Sequence, residues 1–324
     1  MGASTMSKRN VLAALLGTLL WSVAVQAQDF PNKPIRLVVP YPPGGGTDAV
    51  ARTIVQKLQV VLGQPVVIEN KPGASEVVGT GSVARAPADG YTIGLVTSTY
   101  SVNWVLDPKL PYKPAQFVAV APLVGVPLLA LVPREAPSAS LAELIAASRK
   151  RPGTMNYASL GPTSLQAITS EWFKYKSGAD LTAVAYKGAA PAMVALSTGE
   201  VDFAFAGLGA SRAMLETGKV RPIAVSTPKP IAQMPDLPPI AATVPGFDIL
   251  TWYGVVAPAG VPQPVLARLN AAFAETMNDP QVQRQISAQG NLPMTMGLKE
   301  FTAFLERDGI FWREMIDKAG IRAQ

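Results

Sequence analysis

Neither cysteine nor histidine occurs in the 324 residues. Those two absences exclude whole classes of chemistry. A Ser–His–Asp triad, a cysteine nucleophile, a Cys/His zinc site and a His-ligated haem are all ruled out. Disulfides are impossible, and so is lipid attachment through an N-terminal cysteine. Charge is scarce: only 15% of residues are Asp, Glu, Lys or Arg. No Lys/Arg cluster marks a nucleic-acid surface, so none is expected among the partners. The thirty prolines and twenty-seven glycines follow no period, which excludes collagen and solenoid folds.

Apolar runs long enough to span a membrane are also missing; the N-terminal one is short. Lys8 and Arg9 precede an apolar stretch at 11–25, and Val25-Gln26-Ala27 supplies small residues before a cut. The stretch is about fifteen residues, shorter than the roughly twenty that a spanning helix needs. Residues 1–27 therefore read as a signal peptide cleaved after Ala27, leaving a soluble, exported protein; retention as an anchor is the alternative. The formal charge of +6 falls to +4 once Lys8 and Arg9 are removed. That is a mild bias toward anionic partners.

What the sequence does contain is strand, turn and helix in alternation. Apolar residues make up 48% of it. The stretch 34–58 shows the pattern most clearly. Ile35, Leu37, Val38 and Val39 suit a buried parallel strand. Pro40, Pro42 and Pro43 end it. Gly44, Gly45 and Gly46 follow, then Thr47-Asp48 as a capping pair, and Val50, Ile54, Val55 and Leu58 recur at helical spacing. A glycine turn opening a helix exposes unpaired N–H groups and the positive end of the helix dipole, where anions bind. It serves equally as a tight connection, and it is neither a Walker loop nor G-x-G-x-x-G.

The rest of the chain repeats this logic. Strands are expected at 65–70 and 91–96, with a helix at about 77–85 between them. Small hydroxyl residues Thr97, Ser98 and Thr99 close the second of these strands. The apolar stretch 118–132 reads as one or two core strands leading into another domain. A strand at 155–158, a turn containing Ser159, Gly161, Thr163 and Ser164, and a helix at 165–175 form a second unit like the first. Further strands are expected at 182–186, 201–206 and 221–226, and an apolar return at 250–258. Helices follow at 264–277 and 298–319, with Phe311 and Trp312 in the core. Alternation of this kind implies a parallel α/β sheet, and ligands in such sheets sit beyond the carboxyl ends of the strands. Tyr41, Trp104, Trp252 and Tyr253 are possible pocket aromatics.

The residues themselves resemble a known family. Lys33-Pro34-Ile35-Arg36-Leu37-Val38-Val39-Pro40, Gly44-Gly45-Gly46-Thr47-Asp48, Gly63-Gln64-Pro65-Val66-Val67-Ile68-Glu69-Asn70-Lys71-Pro72-Gly73-Ala74, Ala88-Asp89-Gly90-Tyr91-Thr92 and Tyr186-Lys187-Gly188-Ala189-Ala190-Pro191 stand in the order found in periplasmic receptors of tripartite tricarboxylate transporters, the Bug receptors. The resemblance implies an α/β, type II periplasmic-binding fold. Its two α/β domains would be 28–127 plus 250–324 and 128–249, with a ligand cleft between them. It implies a solute-binding protein, not an enzyme, without cofactor or metal. It implies a small organic carboxylate as ligand, the large and small integral transporter subunits as partners, and a monomer. The family holds carboxylates with backbone N–H groups and water at helix starts. Carry-over is best supported at Gly44, Gly45, Gly46 and Thr47, then at Ser159, Gly161 and Ser164; the loops at the strand ends add Tyr41, Thr97, Ser98, Thr163, Ala206 and Gly207 as candidate ligand-binding residues.

Three departures bear on the ligand. Ala167 stands where the family often has His, Ala206-Gly207 where many members have Asp-Asn, and Ser75-Glu76-Val77 where Gly-Gly-Asn is common. Fewer polar side chains suggest a less polar ligand body, such as an aromatic dicarboxylate like terephthalate. Two other classes stay open at this level. A carboxylate sensor serving a histidine kinase would look the same. A hydrolase would need paired acids, and Asp48 and Glu76 are the only acids in the candidate loops; each is expected to open its own helix.

Overall fold

The computed structural model describes residues 30–161 and 164–322. The expected leader and Thr163 lie outside the described residues. Strand β1 (Ile35–Val39) runs into the glycine turn and then helix α1 (Gly46–Leu62), which Gly63 ends at φ 71°. That left-handed cap is a position glycine fills without strain. Next come β2 (Val66–Asn70), α2 (Val77–Ala84), β3 (Thr92–Thr97) and α3 (Ser98–Leu106). β1 lies between β2 and β3 and is parallel to both. Its apolar side chains are buried, as a strand covered on both faces requires.

The apolar stretch after α3 is a single strand, β4 (Phe117–Pro133), of 17 residues. It does two jobs in succession. Through Pro127 it pairs antiparallel with β9 (Leu250–Pro258), which itself pairs with β3. From Leu128 onward it pairs with β7 (Phe203–Gly207) and β8 (Val220–Val225). The two prolines explain how one strand serves both. Proline cannot donate to a ladder and is tolerated at irregularities. Pro122 sits at a register shift, and Pro127 sits where β4 leaves β9 for its new partners. Buried Ser226 pins the changeover: its N–H donates to the Leu128 carbonyl (2.8 Å), and its hydroxyl accepts from Leu128 N–H (2.9 Å) and donates to the Ile249 carbonyl (2.6 Å).

Beyond the changeover the alternation resumes. Helix α4 (Leu141–Lys150) leads to β5 (Asn156–Ser159), α5 (Leu165–Ser177), β6 (Thr182–Ala185) and α6 (Ala189–Thr198), and α7 (Leu208–Glu216) follows β7. β5 is parallel to both β6 and β7, whereas β8 is antiparallel to β4. After β9 come α8 (Gln263–Asn278), α9 (Pro280–Ala288), the two-residue β10 (Leu292–Pro293) and α10 (Leu298–Ala319). The fold is mixed α/β in two halves joined by crossing strands.

Each half has its own apolar interior. Ile35, Val50, Ile54, Leu269 and Phe273 belong to the first, and Ile168, Phe173, Phe203 and Phe205 to the second. α10 belongs to both halves. Phe301 and Leu305 pack with Trp252 and Val96 of the first half, while Trp312, Met315 and Ile316 pack with Phe173 and Phe205 of the second. Phe311 corrects the sequence reading: it is 42% exposed, while Trp312 is fully buried. Successive helical residues point about 100° apart, so one of a pair faces outward. Among the described residues, no helix is long and apolar enough to cross a membrane.

Candidate functional site at the strand changeover

Pairing registers place the carboxyl ends of the two sheets opposite each other. Thr97 ends β3 opposite Tyr253, and Tyr253 lies opposite Val124 of β4. Gly207 ends β7 opposite Leu128. β3 runs parallel to β4 because both are antiparallel to β9, while β7 runs against β4. The ends of β3 and β7 thus point at one another across four residues of β4, about 13 Å. β1 is parallel to β3 and β5 is parallel to β7, so all four strand ends, with the helices that follow them, open on the same gap. This is where ligands sit in open α/β sheets.

On the first side, Gly44 and Gly45 are exposed and Gly46 partly so. Helix geometry leaves the N–H groups of the first turn of α1 without internal acceptors. No side chain caps them, because the N-cap is Gly45. This corrects the expectation that Thr47-Asp48 forms the cap. Asp48 lies inside the helix, buried, and braces the turn. Its Oδ2 accepts from Gly44 N–H (2.9 Å) and Arg52 Nε (2.7 Å), and its Oδ1 from Asn70 Nδ2 (3.0 Å). Burial raises its pKa, but the Arg52, Gly44 and Asn70 contacts outweigh it and hold the carboxyl below the usual range. The Asn70 amide also donates to the Tyr41 carbonyl (3.0 Å), so the turn is fixed at both ends.

The phenol of Tyr253 stands over this helix start, 3.9 Å from where a Cβ on Gly46 would lie and beside Thr47. Tyr253 therefore belongs to the site; Trp252 is core, and Trp104 lines a separate cavity of about 330 Å³ between α3, α8 and α10. Thr97 and Ser98 are buried. Thr97 caps α3 by accepting from Thr99 N–H (3.1 Å), and Ser98 Oγ accepts from Trp252 N–H (2.9 Å). Both buttress the wall from within.

Glu76 is the residue whose role the sequence reading missed. It precedes α2 at φ 75°, but its side chain does not cap that helix. Instead it is buried under the site. Oε1 accepts from Tyr41 Oη (2.7 Å) and from the Thr97 hydroxyl, and Oε2 from Thr97 N–H (3.4 Å). Burial pushes its pKa up to about 7, against the hydrogen bonds from Thr97 and Tyr41. The one signal in the sequence was the departure itself, an acid where the resemblance leads one to expect glycine.

On the second side, Ser164 caps α5, accepting from Ala167 N–H (3.2 Å) and donating to the Gly161 carbonyl (2.7 Å). Gly161 sits at φ 112°, and its N–H donates to Ser159 Oγ (3.2 Å). Gly207 caps α7 with no side chain of its own. Beside them a small cavity of about 20 Å³ is lined by six alanines, Ala206 and Ala210 among them, with Leu160, Met193, Phe205 and one polar side chain, Gln166. Lys187 is exposed. One edge of the gap is bridged: Arg212 of α7 donates to the Ala288 carbonyl at the end of α9.

Residues 50–321 match the model of the tripartite tricarboxylate transporter family receptor. The chain belongs to this family. The receptor is 31% identical to the Bug protein BugT of Bordetella pertussis, over 96% of this chain and 97% of that protein. Among solved structures it resembles Rpa4515 of R. palustris with adipate (34% identity, TM-score 0.86, covering 91% of this chain and 99% of that one). It also resembles MatC of Rhodopseudomonas palustris with bound malate (30%, TM-score 0.80, 89% and 100%). The receptor is thus a solute-binding protein of the periplasmic type. The expected fold class is borne out.

Proposed function

We propose that the receptor captures a small organic dicarboxylate in the gap between its halves and delivers it to the integral subunits of a tripartite tricarboxylate-type transporter. The observation that carries this reading is the head-on arrangement of strand ends, which aims the helix starts behind Gly44–Gly46 and Ser159–Gly161 into one gap. One carboxylate of the ligand docks on the N–H groups at the start of α1, under Tyr41 and Tyr253. The other docks at the starts of α5 and α7, near Ser159, Gly161, Ser164 and Gly207. Each charge-assisted N–H contact is worth about 1.5–3 kcal/mol. The two halves correspond to 28–127 plus 250–324 and 128–249, with α10 strapped across both. Cleavage after Ala27 completes the exported form.

The alanine wall favours an apolar ligand body. A hydroxylated acid such as malate would find the Gln166 amide alone among methyl groups to pair its hydroxyl, and a polar group left unpaired is costly there. Adipate and terephthalate are the better fit. Calorimetric titration with adipate, terephthalate and malate tests this. Tight binding of adipate or terephthalate and weak binding of malate is the expected result. Tight malate binding with no heat from the other two refutes the apolar body, and no heat from any of the three refutes carboxylate capture.

A further inference from the structure

Glu76 places a carboxylate directly behind the surface on which an acidic ligand is to be held. It is 1% exposed and bonded to two members of the predicted site, Tyr41 and Thr97. Among the described residues it makes no ion pair. The titratable groups facing it are phenols: Tyr41 from the turn after β1, Tyr253 from β9 and Tyr112 from the segment after α3, all with pKa raised, burial first and the charge of Glu76 adding to it. Asp48, on the neighbouring α1, is spent on Arg52.

The backbone holds this acid in place at a cost. Gly73, Ala74, Ser75 and Glu76 have φ of 141°, 45°, 48° and 75°. Three of the four are not glycine, and the left-handed region is unfavourable for each of them. Asn103 Nδ2 donates to the Ser75 carbonyl (2.7 Å), and Gly79 is pressed so closely on Pro40 that a Cβ would lie 2.7 Å from it. The loop is thus wedged against its neighbours on both sides of Glu76.

We propose that Glu76 makes anion capture proton-coupled: when a carboxylate docks on the start of α1, ionised Glu76 takes a proton from solvent, so the cleft holds the anion more tightly with that proton than without it. This rests on the carboxylate reading above. Two like charges in a dry site cannot both persist at low cost, and the one already buried is the one to be neutralised. The geometry accommodates the proton. Oε1 keeps its Tyr41 and Thr97 donors, and the proton goes to Oε2, whose Thr97 N–H contact is long, at 3.4 Å. With the unliganded acid titrating at about 7, both forms exist at neutral pH. Glu76 therefore sets the charge of the complex.

The test is calorimetric titration with adipate at pH 8 in phosphate and in Tris, whose ionisation heats differ. Wild-type protein should show a buffer-dependent heat equivalent to uptake of up to one proton. Its affinity should fall by up to about tenfold per pH unit above pH 7 until the liganded carboxyl itself ionises. Glu76→Gln should show no uptake and an affinity flat across this range. Glutamate labelled with ¹³C at the carboxyl supplies a readout that needs no variant: one resonance should titrate near pH 7 and move to higher pH when adipate is added. Buffer-independent heat from wild type with adipate bound overturns the proposal, as does persistent uptake in the variant. Absence of binding by adipate, malate and terephthalate alike overturns the carboxylate reading and this inference with it.

Discussion

The buried acid at position 76 makes a prediction about stability that needs no ligand. Its folded pKa of about 7 lies above the ordinary value of 4.5. The folded state therefore holds the proton more tightly than the unfolded state, and the acid's burden on stability is absent below about pH 4.5. It grows as pH rises through the window between the two values and is fully present above pH 7. Each pKa unit is 1.36 kcal/mol, so the penalty at pH 8 relative to pH 4 is about 3 kcal/mol. Glu76→Gln removes the titration. The variant also sets an amide N–H₂ against Thr97 N–H, at a cost of about 1–3 kcal/mol, but that cost does not change with pH. The quantity to measure is thus a difference of differences: variant minus wild type in unfolding free energy, at pH 8 minus pH 4. Urea denaturation at both pH values yields it directly. We expect about +3 kcal/mol in favour of the variant. A value near zero would mean that the carboxyl titrates normally, and the account of its burial would be wrong.

Two further substitutions probe the site and the frame that holds it. Gly46→Val sets a branched side chain toward the Tyr253 hydroxyl, 3.9 Å from the new Cβ, at the mouth of α1; adipate affinity should drop at least about tenfold (~1.4 kcal/mol), and calorimetry showing unchanged affinity would move the anion elsewhere. Gly254→Ala puts a methyl 2.5 Å from Phe301 Cζ and 3.2 Å from the Ala121 carbonyl, so overpacking should cost about 1–3 kcal/mol, read as a lowered Tm; an unshifted melt would show that α10 yields freely.

Local chemistry made much of this fold legible. Glycine and proline punctuate strand and helix through their own backbone limits, so β1, β5, α5 and α10 were readable within a residue or two, and so was the start of α1, which runs four residues past Leu58 to Leu62. α9 carried a readable signature that went unused: Asp279 accepts from the N–H groups of Gln281 and Val282, with Pro280 behind it. α3 was not readable. Ser98–Leu106 holds aromatic, hydroxyl and β-branched residues that favour strands, and burial between β9 and α10 made it helical.

The sequence alone determined that no histidine, thiol or metal chemistry operates through Cys or His, that two glycine turns open helices, and that acids are scarce beside them. These are properties of residue types and short spacings. Tertiary structure alone decided that β4 is one strand serving two sheets and that their carboxyl ends meet head-on, because register depends on partners far away in the chain, β7 and β8 on one side and β9 on the other. It also decided the fates of Asp48 and Glu76. Both are carboxylates near a turn; Arg52 and Asn70 hold one charged, while phenols and hydroxyls surround the other, and that difference of neighbours sets which of the two can take up a proton.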